Sequence, residues 1–292
     1  MARLLKIILA MYRTFQSVVL LLLLFTFTRC TKPVHYPSPA GYNLAKAFQV
    51  KLPLELDEIS GVAYYPKDTT VFAINDEKGW LYKIGVGTDR HITRWKFSKG
   101  ADFEDIALVD SAFFILQSNG NITRVTFVDS SALVSKLFTF PYTRGNEFEI
   151  LYYDGMKRKL VLICKDCETD KKKALTTFTF DPQTEQYSDA SFSIETKMIA
   201  ATLGKSKVRF KPSAAAINPV DSMLYIISAV NKVLVITDRD GNYQKSYPID
   251  PTIFKQPEGL TFTPSGGLII SNESANVGVA DILFFSPGKI RS

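Results

Sequence analysis

Four glutamates, Glu58, Glu104, Glu149 and Glu258, stand at the heads of short apolar runs that recur along this 292-residue chain. Asp105 follows the second of them, and Asp57, Ser60, Asp102, Glu147 and Ser213 occupy neighbouring places in the same runs. Side chains of this kind, brought together, have three uses. Clustered carboxylate oxygens suit Ca²⁺, which takes six to eight oxygen ligands. On that reading Glu58, Glu104, Glu149 and Glu258 are the metal ligands. Two carboxyl groups held at different pKa values can divide the roles of acid and base. Carboxylates at strand starts also accept backbone N–H bonds or face water, and buried ones are paired, for which Arg209 and Lys211 are at hand.

A second polar set, Asn75-Asp76-Glu77 and Ser271-Asn272-Glu273, comes after the next apolar run in two of the repeats. Asp76, Asn272 and Glu273 are the candidates there for a shared binding face, although Asn and Asp also build ordinary turns. Cys164 and Cys167 are spaced Cys-Lys-Asp-Cys. The pair is a candidate local disulfide, two structural thiols, or half of a metal or redox site. Zinc would want a second ligand pair, and His35 and His91 are the only histidines. Lys171-Lys172-Lys173 reads as a solvated hairpin tip. The chain carries no G-x-S-x-G, Walker or H-E-x-x-H motif, so no catalytic residue is assigned.

The elements that must position these groups come from a repeat. Five segments align without gaps, beginning at Ile59 (ISGVAYYP), Phe103 (FEDIALVD), Glu147 (EFEILYYD), Pro212 (PSAAAINP) and Pro257 (PEGLTFTP). Gly61, Asp105, Glu149, Ala214 and Gly259 fall in their third columns, and the intervals are 44, 44, 65 and 45 residues. Each segment ends in Pro or Asp and is followed by two further apolar runs, which is strand, turn, strand, strand. A repeat of this length holding several strands predicts the blade of an all-β propeller. Five blades are expected, with six as the alternative. The long interval contains residues 195–203, an Ala-, Met- and Leu-rich stretch that predicts a helix inserted in one blade. The last repeat has room for three strands, and residues 43–52 are expected to supply its fourth and close the ring. The inner strands then line a central channel, and their acidic starts converge near its mouth.

The phrases EISGVA from Glu58, DFEDIA from Asp102 and QPEGLT from Gln256, with ISNE ending at Glu273, resemble the SdiA-regulated (YjiK-like) family of bacterial β-propellers over residues 43–290. The fourth repeat departs from the pattern at Lys211-Pro-Ser-Ala. The resemblance implies an exported or membrane-associated propeller and brings no substrate with it.

The N-terminus points the same way. Arg3, Lys6 and Arg13 flank apolar stretches at 4–11 and 18–27, and no acidic residue occurs before Cys30. Residues 1–29 therefore read as a signal peptide, or failing cleavage as an anchoring helix. Cys30 resembles a bacterial lipid-attachment cysteine, with Arg29 and Phe27 departing from that motif, and residues 30–42 read as a tether ahead of a propeller domain at 43–292. The formal charge of +6 is largely N-terminal. Without residues 1–29 the chain keeps 31 basic against 29 acidic side chains, which gives no basic face for nucleic acid. The expectation is a lipoprotein of the cell envelope, on the periplasmic or outer side, binding an unidentified protein or small molecule as a scaffold or receptor. The alternative is a Ca²⁺-dependent hydrolase of the lactonase or phytase propeller type. Ca²⁺ is the one cofactor the carboxylates suggest.

Overall fold

The structure, a computed structural model, describes residues 35–87, 91–142, 145–167, 170, 174–189, 192–274 and 278–288, with a few scattered residues before them. Residues 1–35 and 36–292 are separate compact units. Cys30 and Lys171–Lys173 lie outside the described residues, as does most of the signal segment. Among the described residues no helix is long and apolar enough to cross a membrane.

The second unit is a ring of five antiparallel sheets. Blade one holds β2 (Ile59–Tyr65), β3 (Thr70–Asn75), β4 (Trp80–Ile84) and β5 (Ile92–Lys96). Blade two holds β6 (Phe103–Val109), β7 (Ala112–Gln117), β8 (Ile122–Phe127) and β9 (Leu133–Phe138). Blade three holds β10 (Glu147–Asp154), β11 (Lys159–Asp166), β12 (Ala174–Asp181) and β13 (Gln186–Ser188), and β14 (Ser193–Glu195) adds to β12. Blade four holds β15 (Ala214–Ile217), β16 (Leu224–Ser228), β17 (Val233–Thr237) and β18 (Tyr243–Pro248). Blade five joins β19 (Pro257–Phe262), β20 (Leu268–Asn272) and β21 (Asp281–Phe285) to β1 (Phe48–Lys51), which pairs antiparallel with β21. The first strand of the chain thus completes the last blade, as residues 43–52 predict, and the sheet edge that a linear array would expose is covered. The inner strands β2, β6, β10, β15 and β19 touch in cyclic order.

The core lies between the blades, in five apolar clusters, one at each interface. Middle strands are buried on both faces, so they read as unbroken apolar runs. In β16, Leu224 and Ile226 enter the cluster shared with blade three, while Tyr225 and Ile227 enter the one shared with blade five. The insertion predicted at 195–203 is the short helix α1 (Lys197–Thr202) after β14, and Ile199 and Ala200 dock it into the interface of blades three and four.

Tyr42, at the end of the stretch expected to be a tether, donates its hydroxyl to the Gly266 carbonyl at 2.6 Å and packs its ring on Tyr225 and Phe262. The second compact unit runs from Tyr36, and the Tyr42 side chain has an apolar seat between blades four and five.

Candidate functional site

At one end of the channel four of the five inner strands depart from regular pairing. The ladder runs Phe103↔Gln117 then Asp105↔Leu116 in blade two, Phe148↔Cys164 then Ile150↔Ile163 in blade three, and Pro257↔Asn272 then Gly259↔Ser271 in blade five. One residue is extra each time: Glu104, Glu149 and Glu258. Blade one shifts register between Ile59 and Val62, leaving Ser60 and Gly61 in the irregular stretch. In blade four the ladder opens at Ala214↔Ile227, and the Ser213 N–H also donates to the Ile227 carbonyl, which gives Ser213 the matching place. A β-bulge breaks the alternation of a strand and re-aims one side chain. Here it sets out Glu104, Glu149 and Glu258, and Ser60 and Ser213 occupy the corresponding places of the ring in blades one and four.

This ring corrects the sequence alignment by one residue. Phe148, not Glu147, matches Phe103, so Glu149 is the counterpart of Glu104 and Glu258 rather than of Asp105. Asp105 has a different part. It is 3% exposed, and its carboxylate accepts the N–H of Ile106 and, across the blade boundary, the N–H of Leu151, both at 2.8 Å. It braces blade two against blade three instead of facing the channel. Asn272 is likewise interior at 1% exposed, donating to Asp281 Oδ1 and the Ile253 carbonyl. Gly61 and Gly259 are needed beside the bulges because the neighbouring inner strand passes so close. A Cβ on Gly61 would meet the Ile106 nitrogen at 2.6 Å, and one on Gly259 the Ser60 carbonyl oxygen at 2.8 Å.

Glu149 acts on both of the other bulge glutamates. Burial lifts the Glu104 carboxyl to about 9, with Glu149, Asp102 and Glu258 adding to the shift. Glu258 is raised to about 8 by burial and then by Glu149 and Glu273. Glu149, 7% exposed, rises only to about 7, because Lys165 opposes its burial. Lys165 Nζ lies 2.9 Å from Glu149 Oε2 and 3.3 Å from Glu147 Oε1. Burial works against its charge, but Glu149, Glu147 and Glu104 outweigh it, and the ammonium pKa ends above the usual lysine value. Glu58 belongs to an adjoining group on the side of blades one and five. Its nearest cation is Lys78 at 4.0 Å, and it raises the carboxyls of both Asp76 and Glu273. Asp76, pushed up to about 6 by burial and then by Glu58, keeps one buried oxygen without a hydrogen-bond partner.

Lys165 is the side chain that sequence reading passed over. Arg209 and Lys211 were the expected counter-ions, but Arg209 pairs with Asp166. Lys165 follows Cys164, the partner of Phe148, a place that Asp76 takes after Asn75 in blade one and Glu273 after Asn272 in blade five. Its position inside Cys164-Lys165-Asp166-Cys167 was the available signal. The two cysteines form a disulfide, and both sulfurs sit in the core between blades two and three.

The opposite end is built otherwise. A cavity of about 300 Å³ is lined by all five inner strands, including the half-buried Tyr64, Leu108, Tyr153 and Ile217 with Phe262. Among the described residues that line it, none is Asp, Glu, Lys, Arg or His.

A five-bladed β-propeller with one acidic and one apolar channel end is the class that fold and site define. The comparisons agree on the fold. A Myxococcus xanthus glutaminyl cyclase superposes with a TM-score of 0.54 at 11% identity, covering 82% of this chain and 97% of its own. The calcium-binding protein regucalcin of Agrobacterium tumefaciens gives 0.50 at 12%, covering 80% and 92%. A luciferin-regenerating enzyme gives 0.50 at 11%, covering 85% and 97%. Identities this low carry the fold alone. No family model matches the chain, and no curated protein matches it.

Proposed function

We propose that this chain is an exported propeller, tethered to a membrane, whose acidic channel mouth binds a cationic ligand or the cationic group of a partner protein. The observation that carries this reading is the set of three bulge glutamates, Glu104, Glu149 and Glu258, each from a different blade and each held above its ordinary pKa by burial first and then by neighbouring carboxylates, Glu149 among them for the other two. Gathered carboxyls that resist ionisation release protons when a cation enters, so binding is coupled to pH. Membrane attachment rests on the sequence, through the apolar N-terminal segment and Cys30 behind it. The resemblance to the SdiA-regulated family, with its extracytoplasmic placement, supports the same reading, and the near-neutral charge after residue 29 argues against a nucleic-acid partner.

A second reading, a Ca²⁺-dependent hydrolase, has two supports: the oxygen donors of Glu58, Glu104, Glu149 and Glu258 are of the kind Ca²⁺ takes, and one structural neighbour is a calcium-binding protein. The donors fit in kind more than in spacing. Among the described residues, the one group of three metal-ligating side chains with ligand atoms within 4.8 Å of one another is Cys164, Cys167 and Asp170, where the sulfurs are bonded to each other.

Thermal melting separates the readings. Spermidine at low ionic strength should raise the melting temperature of the parent and leave a Glu104→Gln, Glu258→Gln variant unmoved. Stabilisation by Ca²⁺ alone, reversed by chelator and accompanied by lactone or phosphomonoester hydrolysis, would establish the second reading. A parent indifferent to spermidine and Ca²⁺ alike would remove both.

A further inference from the structure

We propose that Lys165 is a tethered occupant of the channel mouth, standing where the ammonium group of a primary-amine ligand binds, and that the Cys164–Cys167 disulfide holds it there. The inference rests on the cation-binding reading given above and names the ligand class. Lys165 Nζ already does what such a ligand would do. It lies 2.9 Å from a bulge glutamate, Glu149, and 3.3 Å from Glu147, on a side chain only 25% exposed. An ammonium offers three N–H donors around a compact charge, which suits carboxylates arriving from several blades. Entry of a free primary ammonium in place of Nζ would keep the local charge unchanged, whereas a quaternary ammonium has no N–H to donate.

The covalent setting is what makes the lysine an occupant rather than a passing neighbour. Cys164 is fixed in the ladder opposite Phe148, one residue from the bulge at Glu149. Cys164 and Cys167 are buried at 0% and 5% exposure, and the disulfide ring contains only Lys165 and Asp166 between them. Those two point to different partners, Lys165 to Glu147 and Glu149 and Asp166 to Arg209. The lysine backbone is therefore pinned beside the channel from both sides. Reduction by a dithiol breaks the S–S bond. The two sulfurs take up two electrons and two protons as thiols, and the dithiol closes to its own disulfide. The end of β11 after Cys164 is then held only by the Glu147↔Asp166 pairing and the Arg209–Asp166 ion pair, and Lys165 has more freedom to move away from Glu149.

Chemical complementation tests this. In Lys165→Ala the outer three carbons of the stem and the ammonium are gone, and n-butylammonium carries the same charge on a chain one carbon longer than the part removed. The variant should melt lower than the parent and regain most of that loss in n-butylammonium chloride, with an affinity about tenfold above the parent's, because no internal competitor remains. Sodium chloride at equal ionic strength, n-butanol and tetrabutylammonium should restore little. Lys165→Met, which keeps the packing of the stem, should bind methylammonium and serves if the alanine variant does not fold. Parent treated with dithiothreitol, and Cys164→Ser, Cys167→Ser, should bind n-butylammonium more tightly than the oxidised parent. A Lys165→Ala protein that responds to n-butylammonium no more than to sodium overturns the inference. If spermidine still stabilises the parent through Glu104 and Glu258 in that event, the cation-binding reading stands without it. Equal n-butylammonium affinity in oxidised and reduced parent removes the part given to the disulfide.

Discussion

The two ends of the channel are made from the same five strands and have opposite character. At the acidic end Glu104, Glu149 and Glu258 are extra residues that the ladder leaves unpaired. At the apolar end Tyr64, Leu108, Tyr153, Ile217 and Phe262 are ordinary paired residues, joined to Val71, Phe113, Leu160, Leu224 and Leu268. Regular pairing sends alternate side chains into the interblade clusters and leaves the channel an apolar wall. A bulge takes one residue out of that alternation, so a polar side chain can face the axis without displacing a core residue. The acidic end also has a close backbone approach, at Gly61 and Gly259.

The largest effect should come from closing that approach. Gly61→Ala places a methyl group 2.6 Å from the Ile106 nitrogen and is expected to cost about 3 kcal/mol or more, an overpacking penalty against backbone. Ala107→Gly on the apolar side should cost about 1 kcal/mol. Denaturant titration of both measures the contrast, and equal losses would break it.

Next is the pH dependence. Glu104 and Glu258 have folded pKa values of about 9 and about 8, above the ordinary value of 4.5. Between the ordinary and folded values the native state binds more protons than the unfolded state, so stability falls as pH rises through that window. The Glu104→Gln, Glu258→Gln variant should therefore match the parent near pH 4 and exceed it by about 2 kcal/mol near pH 9, with solvent screening holding the gain below the full linkage value. A Leu108→Gln change at the other end should lower stability by about 1 kcal/mol at both pH values, from loss of apolar burial alone. A pH-dependent loss there would mean that the two ends communicate.

The smallest effect probes the turns that join inner strands to their neighbours. Thr69, Asp110, Arg158 and Ser222 all have positive φ, and the fifth turn has Gly266 in that place. Arg158→Gly should gain about 0.5 kcal/mol by relieving the left-handed backbone. A loss would show that the arginine side chain contributes more than its backbone costs.

Much of the ring was legible in sequence, because middle strands such as Leu224–Ser228 are buried on both faces and stand out as apolar runs. Closure by the N-terminal strand followed from the missing fourth strand of the last repeat. The candidate site was less legible. A bulge inserts one residue without any compositional mark, so Glu149 was aligned with the bracing Asp105 instead of the channel-facing Glu104. Asn272 looked like part of a polar face because its turn-like neighbours hide that its amide is committed to Asp281. Lys165 was missed because a lysine between two cysteines carries no periodic signal. Its meaning depends on Glu147 and Glu149 arriving from the next strand.

The closing strand also sets an order of events. Lys51 pairs with Asp281, about 230 residues later, so β1 has no partner until β21 has been made. Through nearly all of synthesis the chain is an open arc with an unpaired strand at its leading end and an unpaired sheet edge at the growing one. Blades one to four can each form from local hairpins as they emerge, but the acidic mouth cannot, since Glu258 arrives with the fifth blade. The fifth blade, made after the other four, is thus the part that turns four finished blades into a ring and its separate carboxylates into one site.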